Sequence, residues 1–248
     1  MTIRETAIYQ LKRLKGQPLK KKLSYIGTYY GVPIAAVLLA IVCVISMIVH
    51  YHNIKPSALN VCCVNTMAEQ ASIESYLHKF AREQQIDLEE YEVTARTGIG
   101  FSGINMEMDY RSSQLLLSMI VSGEIDVMTA DRDTILTHCY QQACVDLTGV
   151  LTQEQMEALA PHLLYMDLEY VEKMASFTED PTQYPDPSKP EDMAQPIPIA
   201  IAFQPEWEFA EIAYPYTYAD SAIALITTGE NRDSAEAFLQ YILAQEEK

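Results

Sequence analysis

The sequence predicts an α/β protein in two parts: a single N-terminal transmembrane helix, then one domain built on a mixed sheet. Three observations predict it. The charge divides sharply along the chain, an uncharged apolar run lies at the division, and short β-prone runs alternate with helical apolar periodicity beyond it. The chain has 248 residues and a net charge of −17. Residues 1–31 hold seven Lys and Arg against the single acid Glu5, a net of +6, which leaves −23 for the rest. Hydrophobic residues at 49% and charged residues at 21% exclude a wholly disordered chain. With 9 Gly and 5 Cys, collagen-like and disulfide-dense classes are excluded too. The acidic balance argues against a nucleic-acid partner, because phosphate backbones attract the Lys and Arg that are scarce here.

The apolar run is VPIAAVLLAIVCVISMIV, residues 32–49, and no charge falls between Leu23 and Ile54. A bilayer core needs about 20 apolar residues of helix, so residues 32–51 suffice. Eleven of the 18 are Val, Ile or Leu, together contributing roughly −3 to −7 kcal/mol on insertion scales. Pro33 is read into the first turn, where its missing N–H costs little. Tyr25, Tyr29, Tyr30 and Tyr51 fall where an interfacial aromatic belt would sit. A cleaved signal has a shorter apolar core followed by an A-x-A cut, and neither is present. Residues 32–51 therefore read as an uncleaved signal anchor, with the lipid bilayer as partner. The positive-inside bias places the basic leader, 1–31, in the cytoplasm and residues 52–248 outside the cell membrane. Ile3, Ala7, Ile8, Leu11 and Leu14 lie near one face of a leader helix, which reads either as resting on an anionic leaflet or as a solvated flank.

In the outer domain, Ser57–Asn65 reads as a strand and residues 68–85 as a helix with Ile73, Tyr76, Leu77, Phe80 and Ala81 inward. Residues 89–96 and 104–110 both alternate and read as strands joined by the loop TGIGFSG. Residues 111–123 read as a helix capped by Ser112 or Ser113 and ended by Gly123. Strand 124–130 follows, then a helix capped by Asp131 or Asp133. Thr152 and Gln155 have capping-box spacing. Residues 178–198 concentrate six prolines among acids and read as a loop. Strands at 198–203 and 221–228 precede a last helix capped by Asn231, with Ala235, Phe238, Leu239 and Ile242 inward.

Residues 115–152 place Gly123 and Glu124 at a turn, Asp126 on the next strand, and Asp146-Leu147-Thr148 after the following helix. This passage resembles the first lobe of extracellular solute-binding proteins of the type II periplasmic-binding fold. Residues 221–243 resemble that family's return strand and last helix. The resemblance runs in order over roughly residues 58–245. The outer segment has 197 residues, short of the two-lobed relatives, and residues 165–197 are too few to build a second lobe. The resemblance therefore implies a one-lobe, membrane-anchored derivative without hinge closure. The basic leader, the SYIGTYYG segment and the span resemble membrane-anchored proteins of Gram-positive bacteria.

The candidate chemistry is sparse. Gly98, Gly100 and Gly103 match G-x-G-x-x-G, but the alternation that follows reads as a strand, so a hairpin loop is expected instead of a dinucleotide site. Cys139 and Cys144 can close a small disulfide loop outside the membrane; buried free thiols are the alternative. His138 beside them lacks the further ligands of a metal site, and no metal or cofactor is expected. Asp131 stands at the carboxyl end of a strand, where ligands of open α/β sheets gather. Residues 204–220 interleave Trp207, Phe209, Tyr214, Tyr216 and Tyr218 with acids. Trp207, Tyr216 and Tyr218 are candidates for stacking on a sugar, holding a cation or contacting a protein, against a packed loop as the plain alternative. No nucleophile elbow, HExxH or P-loop occurs. The expectation is a non-catalytic extracytoplasmic binding protein for a small solute or an envelope partner. The alternative is a structural accessory subunit of a transporter or envelope complex.

Overall fold

A computed structural model describes residues 18–52, 55–102, 106–175, 184–217 and 220–244. The chain divides into two compact units, Met1–Ile54 and Lys55–Lys248.

Among the described residues of the first unit, a helix, α1, spans Leu19–His52. Its 34 residues rise about 51 Å, longer than the hydrocarbon core. The apolar stretch Tyr30–Val49 matches that core at about 30 Å, and none of it is buried within the protein. It is a helix long and apolar enough to cross a membrane. Because α1 starts at Leu19, Pro33 lies inside the helix and not in its first turn as the sequence suggested. Its missing N–H removes the bond to the carbonyl of Tyr29, a loss that spanning helices tolerate.

The second unit is α/β with one mixed six-stranded sheet. Its elements are β1 (Ser57–Cys63), α2 (Gln70–Glu83), β2 (Glu92–Arg96), α3 (Met106–Val121), β3 (Val127–Asp131), α4 (Arg132–Cys139), α5 (Gln153–Leu159), β4 (Leu163–Asp167), α6 (Leu168–Ala175), β5 (Pro196–Ala202), α7 (Glu208–Ala213), β6 (Ser221–Leu225) and α8 (Arg232–Leu243). The strand order is β2-β1-β3-β6-β5-β4. β1 runs parallel to both β2 and β3, and the other neighbours are antiparallel.

Two apolar layers cover the sheet. On one face α2, α7 and α8 pack Tyr76, Phe80, Phe209 and Phe238 over Leu59, Val61 and Ile223. Phe80 and Phe238 meet edge to face at 5.1 Å, and Phe209 and Phe238 at 5.4 Å. Each such buried ring contributes about 1.5–3 kcal/mol. On the other face α3, α4 and α6 contribute Leu116, Ile135 and Val171 over Val64, Met128 and Ala222. The two crossovers β1-α2-β2 and β2-α3-β3 move in opposite directions along the sheet. A fixed right-handed connection must then put α2 and α3 on opposite faces, as they are.

Several boundaries differ from the sequence reading. Met106–Tyr110, within the segment read as a strand, belongs to α3. Glu107 and Asp109 occupy its first turn, where acids favour the helix dipole, and Glu107 pairs with Arg111 at 2.6 Å. Ser112 and Ser113 therefore lie inside the helix and cap nothing. Gly123 does end the segment, with φ +74° and Thr228 O only 2.8 Å from where a Cβ would stand. Residues 184–195 form a loop, but Pro196 and Pro198 belong to β5. β5 meets β6 only at Ile201 and Ala202, so these prolines sit where the strand is paired on one side. β4, α6 and α7 are elements that the sequence reading did not find. Asn231 stands at the start of α8 without a side-chain cap bond.

Candidate functional site

The carboxyl ends of β1 and β3 form a topological switch point: the chain leaves β1 toward β2 on one side and reaches β3 on the other. Crevices of open α/β sheets occur at such points. Here a cleft of about 240 Å³ is lined by Asn65, Thr66, the loop Gly98–Ser102 and Met108.

Its walls are hydrogen-bonded to one another. Val64 N–H donates to Thr129 O at 2.8 Å and Asn65 N–H to Ile99 O at 2.9 Å. Asn65 takes a left-handed φ of +57°, a conformation that Asn tolerates better than most residues. Its Oδ1 accepts the Phe101 N–H at 2.6 Å, and its Nδ2 donates to Asp131 Oδ2 at 2.6 Å. Asp131 is also the cap of α4, accepting the Thr134 N–H and hydroxyl, both at 2.9 Å. Thr66 Oγ1 donates to Ala213 O and accepts the Ala68 N–H at 3.0 Å. Gly98, with φ +84°, turns the chain into the loop. Asn65, held by Asp131, and Thr66 thus give the cleft fixed polar groups, beside the half-buried ring of Phe101 and the exposed Met108.

Beneath the cleft, Tyr214 is 2% exposed. Its hydroxyl lies 2.8 Å from Val64 O and 2.7 Å from Thr129 O, latching the two strand ends together. Burial, reinforced by the nearby Cys63, pushes this phenol well above its ordinary pKa. Asp126, 1% exposed, holds the opposite end of β3. It accepts the Asn60 and Asn231 N–H groups at 2.8 Å each and the Asn231 amide at 3.0 Å.

The sequence-derived candidates separate. Asp131 does not line the cleft itself but bonds Asn65, which does. Trp207 is 1% exposed and packs edge-on against Phe203 at 5.9 Å. It presents no ring face to a ligand or partner, because α7 folds its segment onto the sheet. Phe209 and Tyr214 are buried with it. Tyr216 is 85% exposed, away from those buried rings. Tyr218 lies outside the described residues, as does Gly103 of the glycine pattern. Gly98 and Gly100 lie in the cleft loop. The site residues that sequence reasoning missed are Asn65, Thr66 and Phe101. An Asn-Thr pair closing the first strand was the available signal for a left-handed turn.

Cys139 and Cys144 are disulfide-bonded, with Cα atoms 4.8 Å apart. Cys62 and Cys63 are buried thiols, both raised to about 12 by burial, and so unreactive near neutrality. His138 is 6% exposed with Nδ1 unpartnered, and burial lowers its pKa despite a bond with Gln141. Among the described residues, no three His, Cys, Asp or Glu side chains converge as a metal-binding set. A larger cavity of about 500 Å³ lies between α5 and α8. Its polar wall is spent internally: Gln155 accepts the Thr152 N–H at 3.0 Å and donates to Gln240 at 2.6 Å.

Fold and site together define a mixed-sheet α/β domain with a switch-point cleft, on a chain that also carries an apolar helix of membrane-spanning length. Comparison with protein-family models, curated proteins and solved structures finds no match to the chain.

Proposed function

We propose that this protein is a single-pass, membrane-anchored binding protein. Its α/β domain would lie outside the cell membrane and take a small solute in the cleft at the carboxyl ends of β1 and β3. The carrying observation is that Asn65, which lines that cleft, is fixed at 2.6 Å by Asp131 behind it. Rigid polar groups beside an apolar ring and a thioether are what orient a small ligand. No catalysis is assigned. The order of elements supports kinship with one lobe of the type II periplasmic-binding fold. The +6 leader supports a cytoplasmic N-terminus. The Cys139–Cys144 disulfide supports an oxidising compartment for the domain.

Thermal melts of the full chain against sugars, amino acids, short peptides and metal ions test the reading. A ligand should raise the midpoint in the native chain and fail to do so in Asp131→Ala. A midpoint that no compound moves discards solute binding. Protease added to intact cells should digest the domain; a protected domain reverses the orientation.

The structural-accessory reading is favoured by a different observation. α3 leaves Met106, Tyr110, Leu117 and Val121 exposed along one stripe at helical spacing, 84%, 65%, 42% and 71% respectively. Crosslinking in membranes would give one stoichiometric protein partner, lost on Leu117→Glu. Ligand-induced stabilisation without such a partner returns the choice to solute binding.

A further inference from the structure

The sheet ends on β2 at one side and β4 at the other. The β4 edge is covered, because Tyr165 N–H donates to Pro187 O at 2.8 Å. Among the described residues, nothing comparable covers β2. Glu92 N–H turns toward β1, where it donates to Pro56 O at 3.0 Å. Residues along a strand alternate in this respect, so Val93 and Ala95 turn their N–H and C=O groups to the open side. An open edge is a template for another strand.

The strand Glu92-Val93-Thr94-Ala95-Arg96 is self-complementary when laid antiparallel on itself about Thr94. We infer that β2 pairs with β2 of a second copy, joining the two sheets across a twofold axis through Thr94. In that register Glu92 of each copy stands opposite Arg96 of the other, so both charge pairs are attractive. Val93 stands opposite Ala95 on the face that α2 covers, and Thr94 faces its counterpart. The outward groups of Val93 and Ala95 form about four ladder hydrogen bonds. Charges of opposite sign and paired threonines are favourable cross-strand neighbours. Shifting the register by two residues puts Glu92 opposite Thr94 or Gly98; the first shift leaves Arg96 only Glu90, which lies in a turn outside the strand, and the second puts Arg96 opposite Thr94. The competing contact is the pair Arg96–Glu124 within one copy at 3.6 Å, exposed on both sides and weak. A five-residue seam is short, so the contact gains most where copies share one bilayer and meet at high effective concentration.

The test uses the full chain with Cys43→Ser, reconstituted in phosphatidylcholine vesicles. In the proposed register the Thr94 pair is the non-hydrogen-bonded type, with Cα atoms about 4.5 Å apart, inside the disulfide range. Thr94→Cys should therefore crosslink into a dimer on mild oxidation, and a cysteine at exposed Glu74 should not. Glu92→Arg or Arg96→Glu alone should cut the yield about fivefold or more, since each sets like charges opposite one another. The double exchange Glu92→Arg with Arg96→Glu should restore it. Thr94 also donates to Asn60 Oδ1 at 2.7 Å, so its replacement can weaken folding. Photobleaching steps counted on the labelled charge variants then serve as the second measurement. They should give two steps for the native chain and the double exchange, and one for each single reversal. Single steps for the native chain, or yields indifferent to the single reversals, overturn the inference.

Discussion

The side-chain amide of Asn65 donates to the carboxylate of Asp131 at 2.6 Å while accepting the backbone N–H of Phe101 at the same distance. One side chain thereby joins the ends of β1 and β3 and the loop that follows β2. The cleft walls are fixed before any ligand arrives, which lowers the ordering cost of binding.

Asn65→Asp keeps the shape and replaces the donated hydrogen with a second carboxylate. Two like charges at about 3 Å cannot both ionise without cost. The variant should lose roughly 1–3 kcal/mol at pH 7. The loss should shrink near pH 4, where one carboxyl holds a proton and donates it to the other. Denaturant melts at the two pH values check this; an equal deficit at both means that the pair does not carry the clamp.

The fold was more legible than the site. Ile73, Tyr76, Leu77, Phe80 and Ala81 recur at helical spacing, and all five are buried in α2. Thr152 and Gln155 do form a capping box. α3 began early because Met106, Met108 and Tyr110 mimic strand alternation, whereas the acids of the first turn and the Glu107–Arg111 pair favour helix. β4 was missed because Leu163 and Leu164 continue the apolar pattern of α5, and two leucines after the break at Pro161 are too short a run to read as a strand. Trp207 misled for another reason: aromatics interleaved with acids look exposed on paper, but the helix period puts Phe209, Ala210 and Ala213 on one face and carries Trp207 inward. Asn65 was silent because its role depends on Asp131 and Phe101, 66 and 36 residues away.

Tyr214→Phe removes only the hydroxyl that bridges Val64 O and Thr129 O. Thr129 O keeps the Val64 N–H at 2.8 Å, so the cost should be about 1–3 kcal/mol, set by how the Val64 carbonyl fares without the hydroxyl. Thermal unfolding measures it. Hydrogen exchange should show faster opening at the ends of β1 and β3 and no change in α8. A uniform effect across the domain would mean that the latch is not local.

The disulfide closes a loop over a sequence separation of 5. Chain entropy for so short a loop gives about 2 kcal/mol. Replacing Cys139 and Cys144 together with Ser should lower stability by that amount, and a reductant should move the native midpoint but leave the variant's unchanged. A midpoint indifferent to reductant in the native chain means that the bridge is absent.

Two buried groups make the domain lose stability in acid, each over its own pH range. Burial alone would raise the carboxyl of Asp167, but the N–H groups of Ala194, Gln195, Glu169 and Tyr170 outweigh it and hold the pKa below its ordinary value of 3.8. A depressed carboxyl contributes stability that is fully present above 3.8 and is lost as the pH falls through the folded-state value. His138 acts at higher pH: burial lowers its pKa below 6.5, so the unfolded chain takes up that proton first. Its share of stability is fully present above 6.5 and declines as the pH falls below it. Stability measured against pH should therefore descend in two stages, one beginning near 6.5 and one below 4. His138→Phe should remove the upper stage alone and Asp167→Asn the lower alone. A single descent common to both variants would mean that neither group is held as the fold holds it here.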